Sequence, residues 1–152
     1  MRNCRAGRTS GSVMVEFTLS LTFLIPLFLG SCTFGYGFYL YSRLQNAVRS
    51  GGRYASTLRY TSADTTPPAS FQTAVQKMAV YGDPSANTAT ATPVAPNLTT
   101  ANVNLTVTFT KGAPSGMTVA IRNYTLPAYL GNVTLNNKPY AYFPFTGLWG
   151  PP

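Results

Sequence analysis

From Phe17 to Ser42 the chain carries no charged side chain, FTLSLTFLIPLFLGSCTFGYGFYLYS, and no other stretch constrains its folding as strongly. These 26 residues, wound as an α-helix, reach about 39 Å, enough to cross a hydrocarbon layer of about 30 Å with some tilt. A secretory signal peptide also places basic residues before an apolar stretch, but its apolar core runs about 7–15 residues and ends at a small-residue cleavage site. This run is longer and ends in Tyr39, Leu40 and Tyr41 ahead of Arg43, which reads as an anchor that stays with the protein.

Charge follows the same division. Eleven Lys/Arg stand against three Asp/Glu, a net charge of +8, and there is no histidine. Such a balance suits nucleic acid or a membrane surface. Its distribution argues against nucleic acid: Arg2, Arg5 and Arg8 precede the apolar run and Arg43, Arg49, Arg53 and Arg59 follow it, while Lys77, Lys111, Arg122 and Lys138 are scattered. With arginines on both sides of the span, the positive-inside rule does not decide orientation. The region beyond residue 60, rich in Thr, Asn, Pro and Tyr and free of cysteine, suits an exported domain. Cys4 and Cys32 would lie on opposite sides of a bilayer or within it, so no structural disulfide is expected.

Within the span, Pro26 removes a helix hydrogen bond, a cost that neighbouring helices offset in membranes. Ser31 and Gly35 form a small-xxx-small pair, and Gly30 and Gly37 add places where another backbone can approach. These residues read either as a packing surface or as the glycine content ordinary in membrane helices. Beyond Tyr41, Leu40, Leu44, Ala47 or Val48, Gly51, Ala55 and Leu58 recur at helical steps, so the span continues as an amphipathic helix. Gly51-Gly52 fits a bend or a close-packing point.

The rest reads as a small α+β unit. TSADTTPPAS, residues 61–70, is a linker; Ser70 caps a short helix, Phe71 to Tyr81, with Phe71, Val75, Met78 and Ala79 on one face and Gly82 and Pro84 as its stop. NTATATPVAP, residues 87–96, is a polar loop with little reason to order by itself. Strict alternation of Val103, Leu105, Val107 and Phe109 with polar residues predicts a strand, and Met117, Val119 and Ile121 repeat it after a loop containing Gly112, Pro114 and Gly116. Val133 and Leu135 begin a third strand, and Tyr140 to Phe145 form a fourth, giving an antiparallel sheet covered on one face by helix.

Chemistry is sparse in this unit. Without histidine there is no base for a serine nucleophile, and the exported part's acids, Asp64 and Asp83, sit in turn sequences. No enzyme, cofactor, metal or small-molecule substrate is expected. N-x-T sequons occur at Asn97, Asn104, Asn123 and Asn132. The tail YAYFPFTGLWGPP is either a contact patch or the edge of a small core.

The stretch from Gly11 to Ser56 resembles the N-terminal region of the TadE-like proteins, pilin-like subunits of the bacterial tight-adherence (Tad) pilus. The matching residues are Gly11, then Glu16-Phe17, Pro26 and Gly30 in the apolar run, and Gly52-Arg53-Tyr54-Ala55. The likeness continues weakly through VYGDP to ANVNLTV. It implies a basic prepilin-type leader over 1–11, a transmembrane and amphipathic helix over 12–60 and an exported α+β domain over 61–152. It also implies a single-pass protein of the bacterial inner membrane with a cytoplasmic N-terminus, either held there or incorporated into an extracellular pilus. The implied partners are other pilin or pilin-like subunits and a prepilin peptidase that cuts between Gly11 and Ser12. Cleavage makes Glu16 the fifth mature residue, poised to neutralise a neighbour's new amino terminus, and leaves eight Lys/Arg against three acids, net +5. From its own residues alone, Glu16 would stay at the interface against headgroups. The rival reading of the whole is an uncleaved, signal-anchored exported domain that binds a surface or cell-wall partner.

Overall fold

A computed structural model describes residues 9–126 and 132–150, so Cys4 and the leader arginines Arg2, Arg5 and Arg8 lie outside the described residues. These fall into two units, divided between Tyr36 and Gly37. Helix α1 spans Thr9–Thr57 and α2 spans Ala69–Tyr81. Five strands follow: β1 Val103–Thr110, β2 Ala113–Ile121, β3 Tyr124–Leu126, β4 Val133–Leu135 and β5 Tyr140–Pro144. The fold is α+β, with a long N-terminal apolar helix followed by a small antiparallel sheet domain.

In the first unit the apolar side chains face outward. Phe23 is 78% exposed and Phe28 67%, and none of the most apolar window of the helix is buried. A continuous apolar surface of this kind is stable in lipid and not in water.

In the second unit the last turns of α1 turn Leu40, Leu44, Ala47, Val48 and Ala55 into the core beside Phe71, Val75, Ala79 and Val80 of α2. Gly51 and Gly52 lie within the helix and are close-packing points: a Cβ on Gly51 would stand 2.9 Å from Ala79 Cβ, and one on Gly52 would stand 2.6 Å from Phe143 Cδ2. Helix α2 starts two residues before the expected Phe71, and Pro68, not Ser70, precedes it as the N-cap residue without a side-chain cap. Pro68 lies outside the helix, so its fixed φ and missing N–H cost nothing there. Val80, rather than the half-buried Met78, completes the buried face, and Gly82 ends the helix in the left-handed region, φ 75°.

The main sheet has the order β1-β2-β5, all antiparallel. Cross-strand rows Val103–Ile121, Leu105–Val119–Ala141 and Val107–Met117–Phe143 share the face turned toward the helices. Rows Asn104–Ala120–Tyr140 and Thr106–Thr118–Tyr142 share the other. Three differences from the sequence reading are instructive. The hairpin turn is only Lys111-Gly112, with φ values of 55° and 80°, the positive pair that a two-residue hairpin loop requires. Pro114 and Gly116, expected in the loop, belong to β2, because Ser115 is the extra residue of a bulge opposite Thr108 and Phe109. The remaining strands do not extend one sheet: β3, unmarked in the sequence because three residues are too few to show a period, pairs with β4 in a separate ribbon.

The polar loop before β1 is ordered by what it touches. Val94 N–H donates to the Val80 carbonyl at 2.7 Å, and Ala86, Ala95 and Leu98 are buried. The aromatic tail is both core edge and surface. Phe145 packs on the core, while Tyr140, Tyr142, Leu148 and Trp149 are exposed. The tail also crosses the end of α1, where Thr146 N–H donates to the Ser56 carbonyl at 2.9 Å and Tyr60 N–H to the Leu148 carbonyl at 2.9 Å.

Candidate assembly surface

The residues singled out for processing and assembly, Gly11, Ser12, Glu16, Phe17, Pro26, Gly30, Ser31 and Gly35, all lie on α1. Their hydroxyl-bearing neighbours are satisfied within the helix. Thr18 Oγ1 donates to the Met14 carbonyl, Ser20 Oγ to Glu16, Thr22 Oγ1 to Thr18, Ser31 Oγ to Leu27 and Thr33 Oγ1 to Leu29, at 2.8–2.9 Å. Each bond returns a hydroxyl to the carbonyl one turn back, so these residues enter hydrocarbon without an unmet donor. Pro26 does the opposite: lacking an N–H, it withdraws the donor that the Thr22 carbonyl would otherwise receive. Beside it, Leu24, Ile25, Leu27, Phe28, Leu29 and Ser31 line an open apolar groove.

Gly11, Gly30, Gly35 and Gly37 have open space where a side chain would begin, with nothing within 4 Å of a Cβ. No contact among the described residues accounts for them, in contrast to Gly51 and Gly52. At about 100° per residue, Ser12, Glu16, Phe23, Pro26 and Gly30 fall on one face of the helix. Phe17, Leu24, Ser31 and Gly35 fall on another, roughly 120° away. The expected packing residues therefore form two faces and not a single seam. Glu16 is exposed and makes no ion pair among the described residues.

In the second unit, Arg43, Asn46, Arg49, Arg53 and Thr57 succeed one another at three- and four-residue steps on the exposed face of α1. The Arg43 guanidinium carbon lies 5.5 Å from the centroid of the Tyr39 ring. Periodicity marked these arginines as lying off the buried face, but it did not show them as one stripe.

The acids of the second unit, Asp64 and Asp83, have structural settings. Asp83 Oδ1 accepts the Ser85 N–H at 2.8 Å, and Asp64 supplies its backbone carbonyl to the Tyr60 hydroxyl at 2.7 Å. Among the described residues, no three His, Cys, Asp or Glu side chains come together as metal ligands. Tyr60, which carries no signal in the sequence, is the aromatic hub of the core. It is fully buried, and its ring meets Phe71, Phe109 and Phe145 edge-on at centroid distances of 5.3, 5.9 and 6.5 Å. Burial pushes its phenol pKa above the usual value; the Asp64 charge adds to this and a hydrogen bond with Ser62 opposes it. Two sequon asparagines, Asn97 and Asn123, adopt positive φ, 59° and 50°, which explains asparagine there on backbone grounds alone.

A family model described as TadE-like protein matches residues 11–53, the same segment of α1 that carries the exposed span, Glu16 and the tightly packed glycines. No curated protein and no solved structure matches the chain.

Proposed function

We propose that this chain is a pilin-like subunit of a Tad-type pilus, anchored by α1 in the bacterial inner membrane and processed by a prepilin peptidase between Gly11 and Ser12. The single observation that carries the reading is the TadE-like match over residues 11–53, which falls on the exposed helix. The physical chemistry of that helix agrees with it. Open glycines and small residues on two faces suit a helix packed among several neighbours rather than against one. The Gly11–Ser12 bond lies near the start of α1, where glycine's poor helix propensity eases opening for a protease.

Cleavage would place Glu16 among the first turns of the new helix, where the positive end of the helix dipole favours a carboxylate. A carboxylate carried deeper into the bilayer costs several kcal/mol unless a cation meets it, and a neighbouring subunit's Ser12 amine is such a cation. In this role the protein acts by assembly and adhesion, not catalysis. Its partners are other pilin-like subunits, the peptidase and the membrane, with no nucleic acid among them.

Intact mass of the membrane-extracted protein tests the reading. Cells with the peptidase should yield a chain lacking Met1 to Gly11, and cells without it the full chain; an intact N-terminus in both sinks the proposal. Glu16→Ala should be inserted and cut normally yet fail to co-purify with other pilus components. The exposed Tyr140, Tyr142, Leu148 and Trp149 favour a second reading, an uncleaved anchored domain that binds a surface or cell-wall partner. That reading requires the uncut mass in both strains.

A further inference from the structure

The exposed face of α1 from Arg43 to Thr57 is a cationic stripe with no counter-charge paired to it among the described residues. Arg43, Arg49 and Arg53 point outward with Asn46 and Thr57, and none of the three arginines forms an ion pair with a described residue. The opposite face of the same turns, Leu40, Leu44, Val48 and Ala55, is committed to the core. From Gly37 onward the sequence holds eight Lys/Arg against Asp64 and Asp83 alone, and both aspartates sit in turns.

We infer that this stripe docks against an acidic surface of a different subunit, one that presents carboxylates along about 15 Å of helix. The inference rests on the pilin-like reading and adds the charge of the neighbour to it. Copies of this chain set side by side would bring arginines toward arginines, with too few carboxylates to answer them, and like charges opposed at close range are repulsive. Lipid headgroups fit only the lower end of the stripe. Arg43 directly follows the uncharged run, but helical rise carries Arg49 about 9 Å and Arg53 about 15 Å beyond it, whereas the polar layer of one leaflet is about 5–8 Å deep. Arginine's planar fork suits carboxylates on a protein surface at that height.

The test uses the full-length protein in its own cells, with the photoreactive residue p-benzoylphenylalanine in place of the exposed Asn46. Illumination should yield an adduct with a different pilin-like chain, the cross-linked peptide of that chain being rich in Glu or Asp. Adding Arg49→Glu and Arg53→Glu should lower the adduct at least tenfold, while Arg49→Lys and Arg53→Lys keep it within about twofold. These side chains are exposed, and an unchanged thermal midpoint would show that every variant folds. Adducts with a second copy, with phospholipid only, or with nothing overturn the inference, as does a yield indifferent to charge reversal. The mass of the protein from the same cells separates the two ideas: a chain that has lost Met1 to Gly11 but gives no acidic adduct refutes the docking surface alone.

Discussion

At Gly52 the fold depends on an atom that is missing. An added Cβ would meet the Phe143 ring at 2.6 and 2.9 Å, so Gly52→Ala forces the ring or the helix to move. Overpacking of this kind costs about 1–3 kcal/mol, only partly offset by alanine's helix advantage of about 1 kcal/mol. A net loss of up to about 2 kcal/mol is expected in detergent-solubilised protein followed by near-UV circular dichroism. Gly30→Ala, with open space around it, should not lower that transition.

Tyr60 makes stability depend on pH, because its phenol pKa is raised by burial. The folded chain keeps a proton that the unfolded chain begins to lose near about pH 10. The stabilisation is therefore complete below that pH and is lost as pH climbs through the higher folded value. Between about pH 9 and 11 the wild-type melting midpoint should fall more steeply than that of Tyr60→Phe. At neutral pH that variant should be weaker by about 1 kcal/mol, for the bond to the Asp64 carbonyl.

Among the elements, α1 and β1 were legible from sequence and the hairpin turn was not. A long uncharged run and a strict alternation are local signals, repeated often enough to be unambiguous. The turn could not be placed because Gly112, Pro114 and Gly116 all resemble loop residues; only the bulge at Ser115, held by Ser115 Oγ donating to the Thr108 carbonyl at 3.0 Å, puts the last two into β2. The turn is also imperfect, since Lys111 occupies a left-handed conformation at φ 55° that asparagine tolerates better. Lys111→Asn should stabilise the domain by about 0.5 kcal/mol, and Gly112→Ala, at φ 80°, should destabilise it by about 1 kcal/mol, both read from the melting transition.

For the whole molecule, the end of α1 is part of the folded domain and not only its tether. Leu44, Val48 and Ala55 share one core with the sheet, and the tail returns to the same helix through Thr146. A fragment beginning at Gly37 is therefore expected to show a cooperative melt and dispersed amide signals. One beginning at Thr61 should show neither, since it exposes the apolar face of the sheet.

The anchor, the amphipathic continuation of its helix and the first two strands follow from the sequence by itself, because each is written in neighbouring residues at a fixed period. So does the resemblance over Gly11 to Ser56, which is a matter of spacing along one helix. Whether Gly51-Gly52 bends or packs, which part of the tail is core, where β3 pairs and that the arginines form one uncompensated stripe were decided only by tertiary structure. For the glycines and the tail the deciding partner lies far along the chain, as Phe143 does from Gly52 and Ser56 does from Thr146, 90 residues away. Steric fit and charge balance between such partners leave no periodic mark in either segment.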